Sequence, residues 1–245
     1  MFYHEIMHFT WMIAFKGRHK ANQYLPSKPI KWGLKVWMCC DSLSGFCHQF
    51  EFYQGKEDAD EVNESMKGHG YRVVQKLTMP LRGKFYLVYF DNFFTYIRLV
   101  RSLLSHGIYA CGTMRKNRKG FPEEFKYPPY MEQGDHLIRQ DGNLTATLWK
   151  DKKSVIVLST VADPTIIDIA NRKQKDGTVR MVNCPRTVTN YQQYYRGIDI
   201  CDQLRAEYPV GRSSKKWWRY MFHFIANICI INDFITMVES QERRK

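Results

Sequence analysis

Apolar positions in the first third of the chain come in short aromatic and β-branched runs. Residues 9–15, 34–41 and 46–53 each read as a strand, and polar residues 42–45 turn the chain between the last two. The pattern predicts a three-stranded meander. Residues 55–70 (GKEDADEVNESMKGHG) are mostly polar and predict a loop. Helical spacing appears at 71–79, with Val73, Val74 and Leu77 on one side. Residues 85–90 (FYLVYF) are continuously apolar, which predicts a strand buried on both faces. Helical spacing then takes over at Ile97, Val100, Leu103 and Leu104, with Gly107 as the stop, and 108–113 is a further short strand.

Residues 115–120 (RKNRKG) form a basic loop, and 122–139 are aromatic, Pro-containing and irregular. Two strands follow at 144–149 and 155–160, turned by 150–153, with a charged loop at 172–177. This middle third reads as a small β module inserted into the first domain. From Thr187 to the C-terminus the spacing is helical, broken near 209–214. Three strands, a helix, a strand, a helix and a strand give a ribonuclease-H-like order, although many α/β sheets share it. The expected fold class is α/β: a ribonuclease-H-like core with a mixed sheet and helices, interrupted by a β-rich insertion and followed by C-terminal helices. The expected parts are core 1–114, insertion 115–180, a core helix with the last acidic residues 181–208, and a helical segment 209–245.

The apolar run 85–90 ends on one carboxylate, Asp91. It either caps the following helix or holds a cation, since a carboxylate at a buried strand end needs a partner. Asp199 and Asp202 lie three apart on a predicted helix and so share a face. They are either solvated surface or, with Asp91, oxygen ligands for Mg²⁺ or Mn²⁺, which activate water or a 3′-hydroxyl against a phosphodiester.

Composition narrows the partners. A formal net charge of +13 over 245 residues points to a polyanion. Lys16, Arg18, Lys20, Lys28, Lys31 and Lys35 form one basic cluster. Arg115, Lys116, Arg118 and Lys119 form a second, and Arg212, Lys215, Lys216 and Arg219 a third. Each is either a solvated face or a set of sequence-independent phosphate contacts to DNA. Trp217 and Trp218 either stack on a distorted base or belong to the core. Residues 217–238 are long and greasy enough to raise a transmembrane question. Arg219, His223, Asn227, Asn232 and Asp233 interrupt them, so buried helices and no membrane are expected. The seven cysteines form no CxxC pair and no finger-like spacing, which predicts reduced core thiols and no structural zinc.

Several of these segments are long enough to be distinctive. VYFDNFFT (88–95) with YACGTMRKNRKGFP (109–122) resembles the core of piggyBac-type transposases. The resemblance continues through FKGRHKANQYLPSKPIKWGLKVW (15–37), LWKDKKSVIVLST (148–160) and YYRGIDICDQLRAEYPVGRSSKKWWRYMFHFI (194–225), spanning about 12–239. It implies a ribonuclease-H-like core and metal-dependent DNA cleavage and joining through hairpins, with Mg²⁺ or Mn²⁺ as cofactor. Asp91 and Asp199 match the second and third catalytic aspartates, and Asp202 an acidic neighbour that assists metal binding. Trp217 falls on a tryptophan associated with the hairpin step. Arg115 and Arg118 lie in a basic loop that approaches DNA, and Lys16, Arg18, Lys20, Lys119 and Lys216 join them as expected DNA-binding residues.

Two departures qualify the resemblance. The first catalytic aspartate should stand eight residues before Gly17, where this chain has Phe9 followed by Thr10. Glu5 shares that strand face but sits about 13 Å away at about 3.3 Å per residue, and His8 alternates to the other face. The long N-terminal region and the Cys/His-rich C-terminal module of the family are also missing, so a truncated, degenerate relative is expected. The resulting expectation is a nuclear, transposase-derived protein with phosphate-backbone contacts to DNA and no cleavage activity. Its C-terminal helices would expose apolar surface for self-association or a protein partner. The rival expectations are an active metal-dependent nuclease with a substitute ligand, and an interaction module with vestigial DNA binding.

Overall fold

The aromatic and β-branched stretch near the N-terminus forms β1 (Glu5–Ala14) in the computed structural model, which describes residues 5–26, 28–55, 68–118, 120–161 and 163–244. β2 (Asn22–Tyr24), β3 (Trp32–Asp41), β4 (Cys47–Phe52) and α1 (His69–Thr78) follow. Next come β5 (Leu87–Phe90), α2 (Ile97–Ser105), β6 (Tyr109–Thr113), α3 (Glu123–Lys126), β7 (His136–Asp141), β8 (Leu144–Lys150) and β9 (Ser154–Ser159). β10 (Ile167–Lys173), β11 (Val179–Pro185), α4 (Arg186–Tyr194), α5 (Gly197–Glu207) and α6 (Trp217–Glu242) complete the chain. Most of the polar loop expected at 55–70 lies outside the described residues. The chain divides into two units: Ile6–Leu77 with Arg196–Lys245, and Thr78–Tyr195, to which Glu5 also belongs.

In the first unit β3 is the central strand. It pairs antiparallel with β1 on one side, and with β2 and β4 on the other. A strand enclosed in this way is apolar on both faces, and Val36 through Cys40 are all buried. α5 comes so close that a Cβ on Gly197 would lie 2.4 Å from the Asp41 carbonyl oxygen. Only glycine permits that approach.

α6 is one continuous helix of 26 residues rather than the several helices expected at 217–238. By length and composition alone it is apolar enough to cross a membrane. Its inner face, with Phe224, Ile228, Ile231 and Ile235, is buried against the unit. Phe224 meets Phe50 and Phe52 edge-on at 5.5 and 5.6 Å. The asparagines that interrupt its sequence all have work in this packing. Asn227 donates to the Tyr208 carbonyl at 2.7 Å, and Asn232 both donates to and accepts from the Cys47 backbone at 2.9 Å. The outer face carries exposed Phe222, Ile225, Ile230, Phe234 and Met237.

The second unit holds a mixed sheet. β5 and β6 are parallel, joined over the crossover helix α2, while β6–β9, β9–β8 and β8–β7 are antiparallel. The strands of the middle third therefore continue the β5–β6 sheet through β9. β10 and β11 form a separate two-stranded ribbon, which polar residues 172–177 concealed in the sequence. The segment 122–139, expected to be irregular, contains α3 and the start of β7. Phe85 is not in the strand predicted for 85–90. It is exposed with φ of 57°, a conformation strained for a bulky residue, and the strand starts at Leu87. The core of this unit gathers Leu87, Tyr89, Cys111, Trp149, Val157 and Val188. The Trp149 indole inside it is satisfied by donating to the Asn183 carbonyl at 2.7 Å.

Candidate functional site

Asp91 follows β5 and opens a turn rather than a helix. Its Oδ1 accepts from the Phe93 amide at 2.9 Å, and its carbonyl accepts from Thr95 Oγ1 at 2.7 Å. α2 starts only at Ile97, with Tyr96 at the cap position and no side-chain cap, so Asp91 does not cap the helix. Gly112 on β6 makes room for this turn, because a Cβ there would meet Phe90 and Thr95 Oγ1 within 2.7 Å. Nearby, burial pushes the Tyr191 hydroxyl up to about 12; a hydrogen bond from Thr113 opposes this and the Asp91 charge adds to it.

The basic loop after β6 is built into the same turn. Arg115 Nε donates to Asn92 Oδ1 at 2.9 Å. Arg118 Nη2 donates to the carbonyls of Asn92 and Phe93, both at 3.0 Å, and its guanidinium lies 4.0 Å over the Tyr96 ring. These charge-assisted bonds fix the backbone around Asp91. Lys119, expected beside them as a DNA contact, lies outside the described residues.

In the other unit, α5 carries Asp199 and Asp202. Asp199 is exposed and Asp202 half-buried. Arg205 Nη1 stands 3.6 Å from Asp202 Oδ1, while Arg205 Nε donates to Asn227 Oδ1 at 3.2 Å. The same guanidinium packs 4.5 Å over Phe224 and 5.5 Å over Trp11. Burial raises the Asp202 carboxyl to about 6, with Arg205 pulling it down and Asp199 pushing it up. Burial also holds the Arg205 guanidinium below its usual value. Carboxylate oxygens are suitable donors for Mg²⁺ or Mn²⁺. On α5, however, Asp202 already faces Arg205, and among the described residues no group of three or more His, Cys, Asp or Glu side chains is gathered to hold a metal ion. Position 9 lies on β1, where Phe9 pairs with Met38 of β3.

Lys16, Arg18 and Lys20 come together at a cleft of about 890 Å³, which His19, Asn22 and Trp32 also line. Among the described residues none of the three cations forms an ion pair or a side-chain hydrogen bond. Trp217 stacks on the His19 ring, centroids 4.2 Å apart and 27° between planes. His19 Nδ1 accepts from the Ala21 amide at 3.2 Å, which fixes that ring. Lys216 sits 5.9 Å over the neighbouring Trp218.

Sequence reasoning did not single out His19, Trp32, Asn92 or Arg205. Arg205 had a signal, its position one helical turn after Asp202 in DICDQLR. His19 and Trp217 are far apart in sequence, and nothing in either segment marks their stacking.

The family profile described as Transposase IS4 matches residues 4–234. Human PiggyBac transposable element-derived protein 3 is 31% identical over 231 residues, covering 91% of this chain and 38% of that protein. Human PiggyBac transposable element-derived protein 2 is 25% identical over 231 residues, covering 90% of this chain and 38% of that protein. The cryo-EM structure of a piggyBac transposase synaptic complex with hairpin DNA is similar with a TM-score of 0.79 at 28% identity, over 94% of this chain and 46% of that one. The chain spans less than half the length of these relatives. With the profile matched over nearly its whole length, and with piggyBac-derived sequences and a piggyBac structure agreeing, the chain belongs to the piggyBac transposase family.

Proposed function

We propose that this chain is a transposase-derived, nuclear DNA-binding protein that does not cut DNA. The observation that carries the reading is Phe9 on β1, which by the resemblance stands where the family has its first catalytic aspartate. A phenyl ring cannot ligate a cation, and loss of a shared ligand from a two-metal site lowers the rate by orders of magnitude. The ancestral chemistry would use Mg²⁺ or Mn²⁺ at Asp91, Asp199 and Asp202. The pairing of Asp202 with Arg205 supports the view that this chain no longer sustains it. Support for a ribonuclease-H-like core comes from the β1–β3–β4 meander and from the parallel β5–β6 pair with its crossover helix. Residues 115–180 are the proposed β-rich insertion. DNA binding rests on the net charge of +13 and on Lys16, Arg18 and Lys20, which form no ion pair among the described residues. The hairpin DNA bound by the structural relative adds support.

The test is plasmid nicking and hairpin formation with Mn²⁺, comparing wild type, Asp91→Ala and Phe9→Asp. Silence in wild type with activity in Phe9→Asp is the expected result. Wild-type activity abolished by Asp91→Ala would overturn the reading and mean that another ligand has replaced the lost aspartate.

A second reading, self-association or a protein partner, is favoured by the exposed apolar face of α6. Sedimentation of Phe222→Glu/Phe234→Glu against wild type checks it. An association that the substitutions abolish supports it, and a monomer in both removes self-association.

A further inference from the structure

The geometry points to the cleft beside β2 and β3 as a site for one unpaired nucleotide of single-stranded DNA, its base stacked on Trp32 and its phosphates held by Lys16, Arg18 and Lys20. The inference rests on the DNA-binding reading above and sharpens it, because duplex phosphates alone require only the cations.

Three observations carry it. First, the cleft has the size of a small-molecule pocket, about 890 Å³, and among the described residues no acidic one lines it. Second, its apolar wall is an exposed ring. Trp32 is 53% and its neighbour Tyr24 51% solvent-accessible, with centroids 4.7 Å apart. An exposed indole beside a row of cations is the combination that single-strand binding grooves use: backbone charge plus an aromatic face that accepts any base. Third, the platform is rigid. Tyr24 and Trp32 are directly opposed in the β2–β3 ladder. The cation-bearing loop is closed by the bond from the Asn22 amide to the His19 carbonyl at 3.0 Å and from Asn22 Nδ2 to the Gly17 carbonyl at 3.1 Å. A preformed site avoids most of the ordering cost of binding.

Trp32 is not placed to serve the protein core. It stands at the start of β3 with half its surface in water, whereas Trp37, further along β3, and Trp149, on β8, are buried.

The experiment is fluorescence anisotropy of the full chain with a labelled oligo-dT and with a duplex of equal length. It compares wild type, Trp32→Ala, Trp32→Tyr and the triple variant Lys16→Ala/Arg18→Ala/Lys20→Ala. Trp32→Ala is expected to weaken oligo-dT binding about tenfold and duplex binding less than about twofold. Trp32→Tyr should restore oligo-dT binding to within about twofold, and the triple variant should weaken both. Unchanged oligo-dT binding in Trp32→Ala overturns the proposal. Equal losses on both DNAs also overturn it, since they indicate a structural role for the indole. Wild-type binding of duplex but not oligo-dT overturns this inference and leaves the DNA-binding reading standing. Binding of neither DNA removes both.

Discussion

In the loop after β1, Lys16, Arg18 and Lys20 reach a cleft without an ion pair or side-chain hydrogen bond among the described residues. In the loop after β6, Arg115 and Arg118 direct their donors at Asn92, Phe93 and Tyr96. The two loops read alike as sequence, since each is a short run of cations with glycine nearby. What separates them is whether the fold offers acceptors within reach. The first loop borders a half-exposed tryptophan and open space. The second abuts a tight turn whose carbonyls have no strand to pair with. A basic run is therefore a candidate ligand site in one case and a backbone brace in the other.

A third arginine extends the contrast to a buried setting, and it should give the largest effect. Arg205→Ala would remove the partner of Asp202, the donor to Asn227 and the cover over Phe224, costing about 3 kcal/mol in urea unfolding. Arg118→Ala comes next, at about 2 kcal/mol, because it strips two charge-assisted bonds and a ring contact. Arg118→Lys would recover only part, lacking the planar fork. Single Lys16→Ala, Arg18→Ala and Lys20→Ala changes should stay within about 0.5 kcal/mol by the same measurement. A large loss at any of them would erase the contrast.

DNA binding reverses the ranking. Replacing Lys16, Arg18 and Lys20 together should reduce the slope of log affinity against log salt on duplex DNA by up to about 2.7. Arg115→Ala should leave that slope nearly unchanged. A comparable drop for Arg115→Ala would mean that the bracing loop also meets phosphate.

A smaller effect concerns protons. The Asp202 carboxyl, raised from 3.8 to about 6 chiefly by burial, binds its proton more tightly in the folded than in the unfolded chain. Its contribution to stability is thus most favourable at acid pH and declines as pH rises from 3.8 to about 6, then levels off. Asp202→Asn should flatten that segment of the stability profile, and a carbon-detected NMR titration should put the wild-type midpoint near the upper end of the window. The smallest expected effect is that of Mg²⁺ or Mn²⁺ on thermal unfolding. With Asp202 facing Arg205, millimolar metal should leave the melting temperature within about 1 °C.

Much of the framework was readable from periodicity. The central strand β3, the β5 run into Asp91, the crossover helix α2 and the β8–β9 hairpin all form from segments whose apolar spacing announces them. β2 was missed because three residues are too few to show alternation, and the β10–β11 ribbon because its outer positions are charged. Asp91, Asp199 and Asp202 were marked by motif and spacing. Their surroundings were not, since the Arg118 brace joins residues about 25 apart and the His19–Trp217 stack joins segments from opposite ends of the chain. Such contacts follow from tertiary packing, which leaves no local trace.

The distribution of thiols has a practical consequence. Six of the seven cysteines are buried and Cys229 alone is exposed, on the outer face of α6 one and two turns beyond Ile225 and Phe222. A maleimide added to the folded protein should therefore attach once, at a known address. An environment-sensitive dye placed there turns the least explained surface of the molecule into its own reporter, brightening only when something dry settles over the helix.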